Sequence, residues 1–165
     1  MIFRLAGMQT WLRLLTWALM ALPLLFLAGA LAAPWQAAIP LLGSTLFIVA
    51  IYASVWFGFR PTRFEVDADA LRIVWPVRMR SIRRSDIESA RIVTNTDFRR
   101  EYGYGMRIGA GGLWGGFGLL KTGRETFSMW ISRTDEFVIV RLRGARSLLV
   151  TPEDPRRFVA SLGLS

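Results

Sequence analysis

The 165-residue chain contains no cysteine and no histidine. The first absence excludes disulfide scaffolds, thiolate zinc sites and cysteine nucleophiles. The second removes the side chain that most often serves as general acid–base group or metal ligand near neutral pH. Lysine is almost missing as well, with Lys121 alone against 20 arginines. All 12 acidic residues lie after position 60, and no charge of either sign interrupts the 46 residues from Leu14 to Phe59. Such a run, in a chain that is 53% apolar, excludes both a disordered chain and a simple soluble globule.

A helix crossing about 30 Å of hydrocarbon needs about 20 residues, so the uncharged run is long enough to cross twice. The natural break is Ala33-Pro34-Trp35-Gln36-Ala37-Ala38-Ile39-Pro40. It leaves spans at 14–33 and 41–59, the first carrying Pro23, with Trp11, Trp17, Trp35, Tyr52 and Trp56 towards the ends. Arg4 and Arg13 precede the first span, Arg60 and Arg63 follow the second, and the connection has no basic residue. The positive-inside rule then puts both termini in the cytoplasm of a multi-pass inner-membrane protein. A secretory signal ending near Ala30-Leu31-Ala32 is the rival reading. It fits less well, because the apolar run exceeds an h-region of about 7–15 residues and a second span follows closely.

Residues 61–165 form the second unit, long enough for one compact domain. From residue 60 onward the charge is 19 basic minus 12 acidic residues, or +7. Alternation of apolar and polar residues predicts strands at 63–66, 71–75, 79–84, 89–94, 125–131, 137–142 and 147–150. The short acids Asp67 and Asp69 mark a tight turn between the first two. The period then changes. Thr151 or Asp154 can cap a helix whose first turn holds a proline, and Phe158, Val159 and Leu162 share its apolar face. A single amphipathic helix after a β domain plugs an open barrel or covers a sheet.

The order of these elements resembles a known family. Phe64-Glu65-Val66, Leu71-Arg72-Ile73, Arg80-Ser81-Ile82, Ser85-Asp86-Ile87-Glu88-Ser89, the Gly-rich Gly111–Gly118 and the closing Val150–Phe158 are similar to bacterial pleckstrin-homology-like (PH-like) domain proteins. Many of those carry two transmembrane helices before the domain. The resemblance implies a membrane α-helical hairpin followed by an all-β, partly open seven-stranded barrel capped by a C-terminal helix. It does not imply an enzyme.

Eight of the 15 glycines fall between Gly103 and Gly118. A dinucleotide-binding turn would need a helix directly after the glycines, whereas Gly116-Phe117-Gly118 follows. A P-loop fails too, since no glycine directly precedes Lys121. Lys121-Thr122-Gly123 matches a penicillin-binding motif whose Ser-x-x-Lys companion is absent, and reads as a hairpin turn. Asp67-Ala68-Asp69 and Asp135-Glu136 are turn signals without the further ligands a metal site needs. No catalytic residue, cofactor or metal is expected, and without a recognition helix or stacking motif the basic charge does not point to nucleic acid.

Two surfaces remain as candidates. Gly111, Gly112, Gly115 and Gly116 with Trp114 and Phe117 form a segment where a bilayer, another backbone or a partner can come close; burial of both aromatics in the barrel's open end is the competing reading. Arg60, Arg63, Arg78, Arg80, Arg83 and Arg84 are candidate contacts to anionic lipid, set against ordinary positive-inside anchoring. The acidic first turn, Asp67 and Asp69, argues against the headgroup binding of eukaryotic PH domains. The expected function is a non-catalytic adaptor or assembly module at the cytoplasmic face, with the bilayer and a membrane-protein partner as its associations and self-association compatible with the same surfaces. The alternative is a sensor or handler of anionic lipid through the basic face.

Overall fold

The computed structural model describes residues 1–163, so the last two residues of the 61–165 unit lie outside the description. It begins with an element that periodicity does not announce: a three-residue strand, β1 (Ile2–Arg4). Helix α1 (Thr10–Ala32) and helix α2 (Trp35–Ser54) follow, the latter running on as a π-turn at Val55–Phe59. Both are long and apolar enough to cross a membrane, with mean hydropathy of 2.1 and 2.0 over their best windows. The break between them is shorter than the expected 34–40 loop. Only Ala33 and Pro34 are extended, because a residue before proline is pushed out of the α region. Pro40 lies inside α2, where its missing donor leaves one carbonyl near the helix start unpaired, a small loss. The helices long and apolar enough to cross run over 10–32 and 35–59, against the spans of 14–33 and 41–59 expected from the sequence.

Beyond the helices come β2 (Arg63–Val66), β3 (Ala70–Val74), β4 (Met79–Arg83), a 3-10 turn at Arg84–Asp86 and β5 (Ile87–Thr94). Helix α3 (Asn95–Tyr102), β6 (Met106–Gly111), β7 (Gly116–Lys121), β8 (Thr126–Ile131), β9 (Glu136–Leu142), β10 (Leu148–Val150) and α4 (Pro155–Ser161) complete the chain. The strands form two sheets, ordered β1-β2-β3-β4 and β5-β9-β10-β8-β7-β6, antiparallel except for the β10–β8 pair. Among the described residues they do not close into a barrel, and ten strands stand where seven were expected. The surplus is β1 and the β6–β7 hairpin.

The first nine residues tie the sheets together. β1 adds to β2 with Phe3 opposite Phe64, and Leu5 then bridges Pro152 just past β10. The Ala6 N–H donates to the Thr151 carbonyl at 2.9 Å, and the buried Ser132 hydroxyl donates to the Ala6 carbonyl at 2.6 Å. Residues taken from sequence as a membrane flank thus belong to the domain, at the same end of the helical pair as β2.

Alternation sets two cores on the two faces of the larger sheet. Phe117, Trp130, Val138, Val140, Leu148 and Val150 face the smaller sheet and α4. Trp75 meets Trp130 edge-on at 5.3 Å, and Phe158 of α4 is fully buried against Phe3 and Phe64 at 5.3 and 5.9 Å. Asp154 caps α4 by accepting from the Arg157 N–H, with Pro155 in its first turn. Phe127, Met129, Ile131, Phe137, Ile139 and Leu149 point the other way and pack on Phe98 and Tyr102 of α3. Thr94 caps α3, accepting from the Asp97 N–H at 3.2 Å, and Gly103 at φ 75° ends it. The Tyr102 hydroxyl accepts from Arg91 and Arg141, and Arg91 also holds Glu101, whose carboxyl is drawn below its ordinary pKa chiefly by that hydrogen bond.

Candidate functional site

The glycine segment is a hairpin whose shape depends on glycine at particular places. Gly109 and Gly118 pair directly across β6 and β7 at φ 134° and 129°, where L side chains are strained. A methyl group on either would collide with the opposite strand's carbonyl oxygen, of Phe117 or of Ile108. Gly115 sits against the Ile131 carbonyl with the same consequence. At the tip, the Gly112 N–H donates to the Gly115 carbonyl at 3.1 Å, and Trp114 takes φ 57°, the only non-glycine residue in the left-handed region among the described residues.

That tip rests on the helices. The Trp114 N–H donates to the buried Thr16 hydroxyl of α1 at 3.2 Å, and that hydroxyl also lies 3.2 Å from the Gly112 carbonyl. The Trp114 indole meets Tyr52 of α2 and Trp56 of the π-turn edge-on at 6.4 and 4.9 Å. Phe117, by contrast, is fully buried, because its position on β7 faces the smaller sheet. It leaves the candidate surface, as do the buried Gly115 and Gly116. Gly111 is exposed with open space around it, and Gly112 and Trp114 form a joint between domain and helices.

The exposed part of the segment lies further back, where the residues carry no periodic signal. β6 ends the larger sheet, and no strand pairs with its outer edge among the described residues. Tyr104, Met106 and Ile108 stand 84, 61 and 49% exposed along it. Beside this edge, on the outer sheet face, a groove of about 350 Å³ runs between α3 and the start of α1. Leu120, Met129 and Ile131 line it together with Trp11, Arg99 and Arg107. An unprotected edge with apolar side chains is a template for pairing with another strand.

The six candidate arginines do not form one face. Arg60, Arg63 and Arg78 gather where the helices meet the sheet. Arg60 lies over Trp56 at 4.4 Å, and burial lowers its pKa from the ordinary value, though a guanidinium remains a cation. Arg78 stacks on Trp75 at 4.6 Å and donates to the Gly58 carbonyl at 2.7 Å. Arg63 pairs with Glu65. β4 then runs away from the helices, so Arg80 is midway and Arg83 and Arg84 are at the far end. Arg83 pairs there with Asp86, and Arg84 donates to the carbonyls of Asp67 and Ser161. Asp67 itself pairs with Arg72, and no group of three or more potential metal ligands occurs among the described residues.

Two sheets, a C-terminal plug helix and an acidic first turn are in place, and the comparisons agree with that layout. The family described as Bacterial PH domain matches residues 62–163, more than half of the chain. No curated protein and no solved structure matches. The strand β1, supplied from before the helices, lies outside the matched stretch and completes the smaller sheet. On this match the chain belongs to the bacterial PH domain family, with two long apolar helices set ahead of the domain.

Proposed function

We propose that the protein is a non-catalytic membrane adaptor: α1 and α2 cross the inner membrane, and the PH domain is held at its cytoplasmic face to receive a strand from another membrane protein. PH domains are in general binding modules rather than enzymes, and both apolar helices lack any ionisable side chain in their middle, as intramembrane chemistry would require. The observation that carries the reading is the free edge of β6. Natural sheets cover or charge such edges, and here Arg107 is the edge strand's one charge: Met106 and Ile108 stand exposed on one face of β6, while Tyr104 and Arg107 border the groove on the other. A strand added to β6 would gain main-chain hydrogen bonds and drop alternate side chains into that groove, whose rim arginines favour an apolar segment bearing acids.

A photo-crosslinking side chain at Ile108, used in native membranes, tests it. The expected product is a discrete protein adduct that Met106→Lys weakens; adducts to lipid alone would refute the adaptor reading. Orientation is tested with Ala145→Cys and Gln36→Cys in this cysteine-free chain. An impermeant thiol reagent on intact cells should spare position 145, and labelling there but not at 36 would invert the topology.

The second reading, anionic-lipid recognition, is favoured by the cluster of Arg60 and Arg78 at the foot of α2. Neither takes part in an ion pair among the described residues.

A further inference from the structure

A groove of about 760 Å³ runs between α1 and α2 on their outer side, walled by Pro23, Leu27, Val49, Phe57, Trp56 and Trp114. Its two hydroxyls are already used. Thr45 donates to the Leu41 carbonyl at 2.9 Å and Tyr52 to the Leu19 carbonyl at 2.5 Å, which leaves the indole N–H groups of Trp56 and Trp114 as the walls' side-chain donors without a protein acceptor among the described residues. At the domain end, Trp114 and Trp56 meet at 4.9 Å and the Arg60 guanidinium covers the Trp56 ring. Arg60 Nε is the only buried side-chain nitrogen or oxygen without a hydrogen-bond partner among the described residues. That buried Nε is out of a ligand's reach, but the two terminal amino groups of the same guanidinium are neither buried nor paired, and they stand at the groove's end, beside the Trp56 ring, where an anionic oxygen can accept from them. Arg78, tied to the Gly58 carbonyl one turn away, adds a second uncompensated charge at the same end.

We infer that this groove seats one anionic phospholipid, an acyl chain lying between the helices and the phosphate accepting from Arg60. The inference rests on the reading that α1 and α2 span the bilayer. The charges select the occupant: a neutral lipid would fill the groove equally well but would leave Arg60 and Arg78 without a net counter-charge, whereas a phosphatidylglycerol-type headgroup supplies one. A tight fork of donors stacked on an indole is also a fixed recognition element rather than a diffuse basic surface.

The test uses the full chain reconstituted in bilayers of equal phosphatidylcholine and phosphatidylglycerol. It is then extracted in mild detergent, and the retained lipids are counted by native mass spectrometry. Wild type should retain a lipid enriched in phosphatidylglycerol over the bulk ratio. Arg60→Gln should reduce that enrichment about fivefold, the order expected for one basic residue near the surface. Val49→Trp, which fills the groove, should abolish retention of either lipid, and the remote Arg156→Gln should change nothing. Retention in the bulk ratio by wild type, or full enrichment in Arg60→Gln, overturns the proposal. So does efficient disulfide formation between copies of Val49→Cys in the bilayer, which would assign the groove to a second copy. Alkaline extraction of the same membranes is read separately: a chain that washes off loses the spanning reading itself, whatever its lipid count.

Discussion

Replacing Phe3 by alanine tests whether a residue ahead of the two long apolar helices is part of the domain's core. Phe3 is 3% exposed and meets Phe158 edge-on at 5.3 Å, while its neighbour Ile2 on the other face of β1 is 66% exposed. Removing a buried phenylalanine ring costs about 3–5 kcal/mol in transfer and cavity terms. For a domain near 100 residues, each kcal/mol moves the midpoint by about 4 °C, giving a loss of about 12–20 °C. Ile2→Ala should change stability by less than about 0.5 kcal/mol. The assay is thermal unfolding of the full chain in detergent, followed by near-ultraviolet circular dichroism, to which the Trp75–Trp130 contact contributes. If Phe3→Ala and Ile2→Ala melt together, β1 is not packed as described and the two-sheet arrangement fails at its edge.

Phe158→Ala should lose a similar about 3–5 kcal/mol. Because its ring touches that of Phe3, the double variant should fall short of additivity by at least about 0.5 kcal/mol in denaturant titrations. Gly109→Ala should cost more than about 1 kcal/mol, since φ 134° and the opposite strand both exclude a methyl group. Gly123→Ala, with nothing within 4 Å, should stay within about 0.5 kcal/mol, and equal effects would remove the case for a glycine-dependent hairpin. Asp135 is hydrogen-bonded chiefly by Arg133, which lowers its pKa from 3.8 to about 2. A carboxyl depressed in the folded state contributes stability that is full above pH 3.8 and lost as pH falls through about 2. The denaturant midpoints of wild type and Asp135→Asn should therefore converge over that window, and a gap that widens on acidification would contradict the pairing. With the Asp135 side chain 47% exposed, the gap should be small throughout.

Elements with a strong local signature were legible in the sequence. The two helices follow from an uncharged run, β2 to β4 from period-two alternation around Asp67–Asp69, and α4 from Asp154-Pro155 before Phe158. Strands β8 and β9 show why alternation alone is a partial guide. Met129-Trp130-Ile131 and Phe137-Val138-Ile139-Val140 are unbroken apolar runs because both sheet faces are covered, one by the smaller sheet and one by α3. Helix α3 itself was readable only through Thr94 and Asp97, since its polar residues carry no apolar stripe beyond Phe98 and Tyr102. The β6–β7 hairpin escaped for the opposite reason: glycine is depleted in ordinary strands, and here it is required by backbone facing backbone at Gly109 and Gly118. β1 has only three residues and partners 59 to 63 positions away, so no local pattern could reveal it. The basic residues were read as one set, but strand direction, which sequence does not display, separates Arg60 and Arg78 from Arg83 and Arg84.

The pairing of β1 also dictates an order of assembly. Arg4 meets Glu153 across 149 positions and Ala6 meets Ser132 across 126, so the first residues made are bound by some of the last. At about 5–20 residues per second, a nascent chain spends about 6–30 s between emergence of the two sides. Through most of that interval both apolar helices and β2 are already made, so β1 can pair with β2, while Ala6 still lacks the Thr151 carbonyl and the Ser132 hydroxyl. The hydroxyls of Ser132 and Thr151, buried in the finished domain, remain open to solvent until it arrives. Docking of Leu5 and Ala6 against Ser132, Thr151 and Pro152 thereby waits for synthesis of β10, and it closes the chain into a loop around its own two long apolar helices.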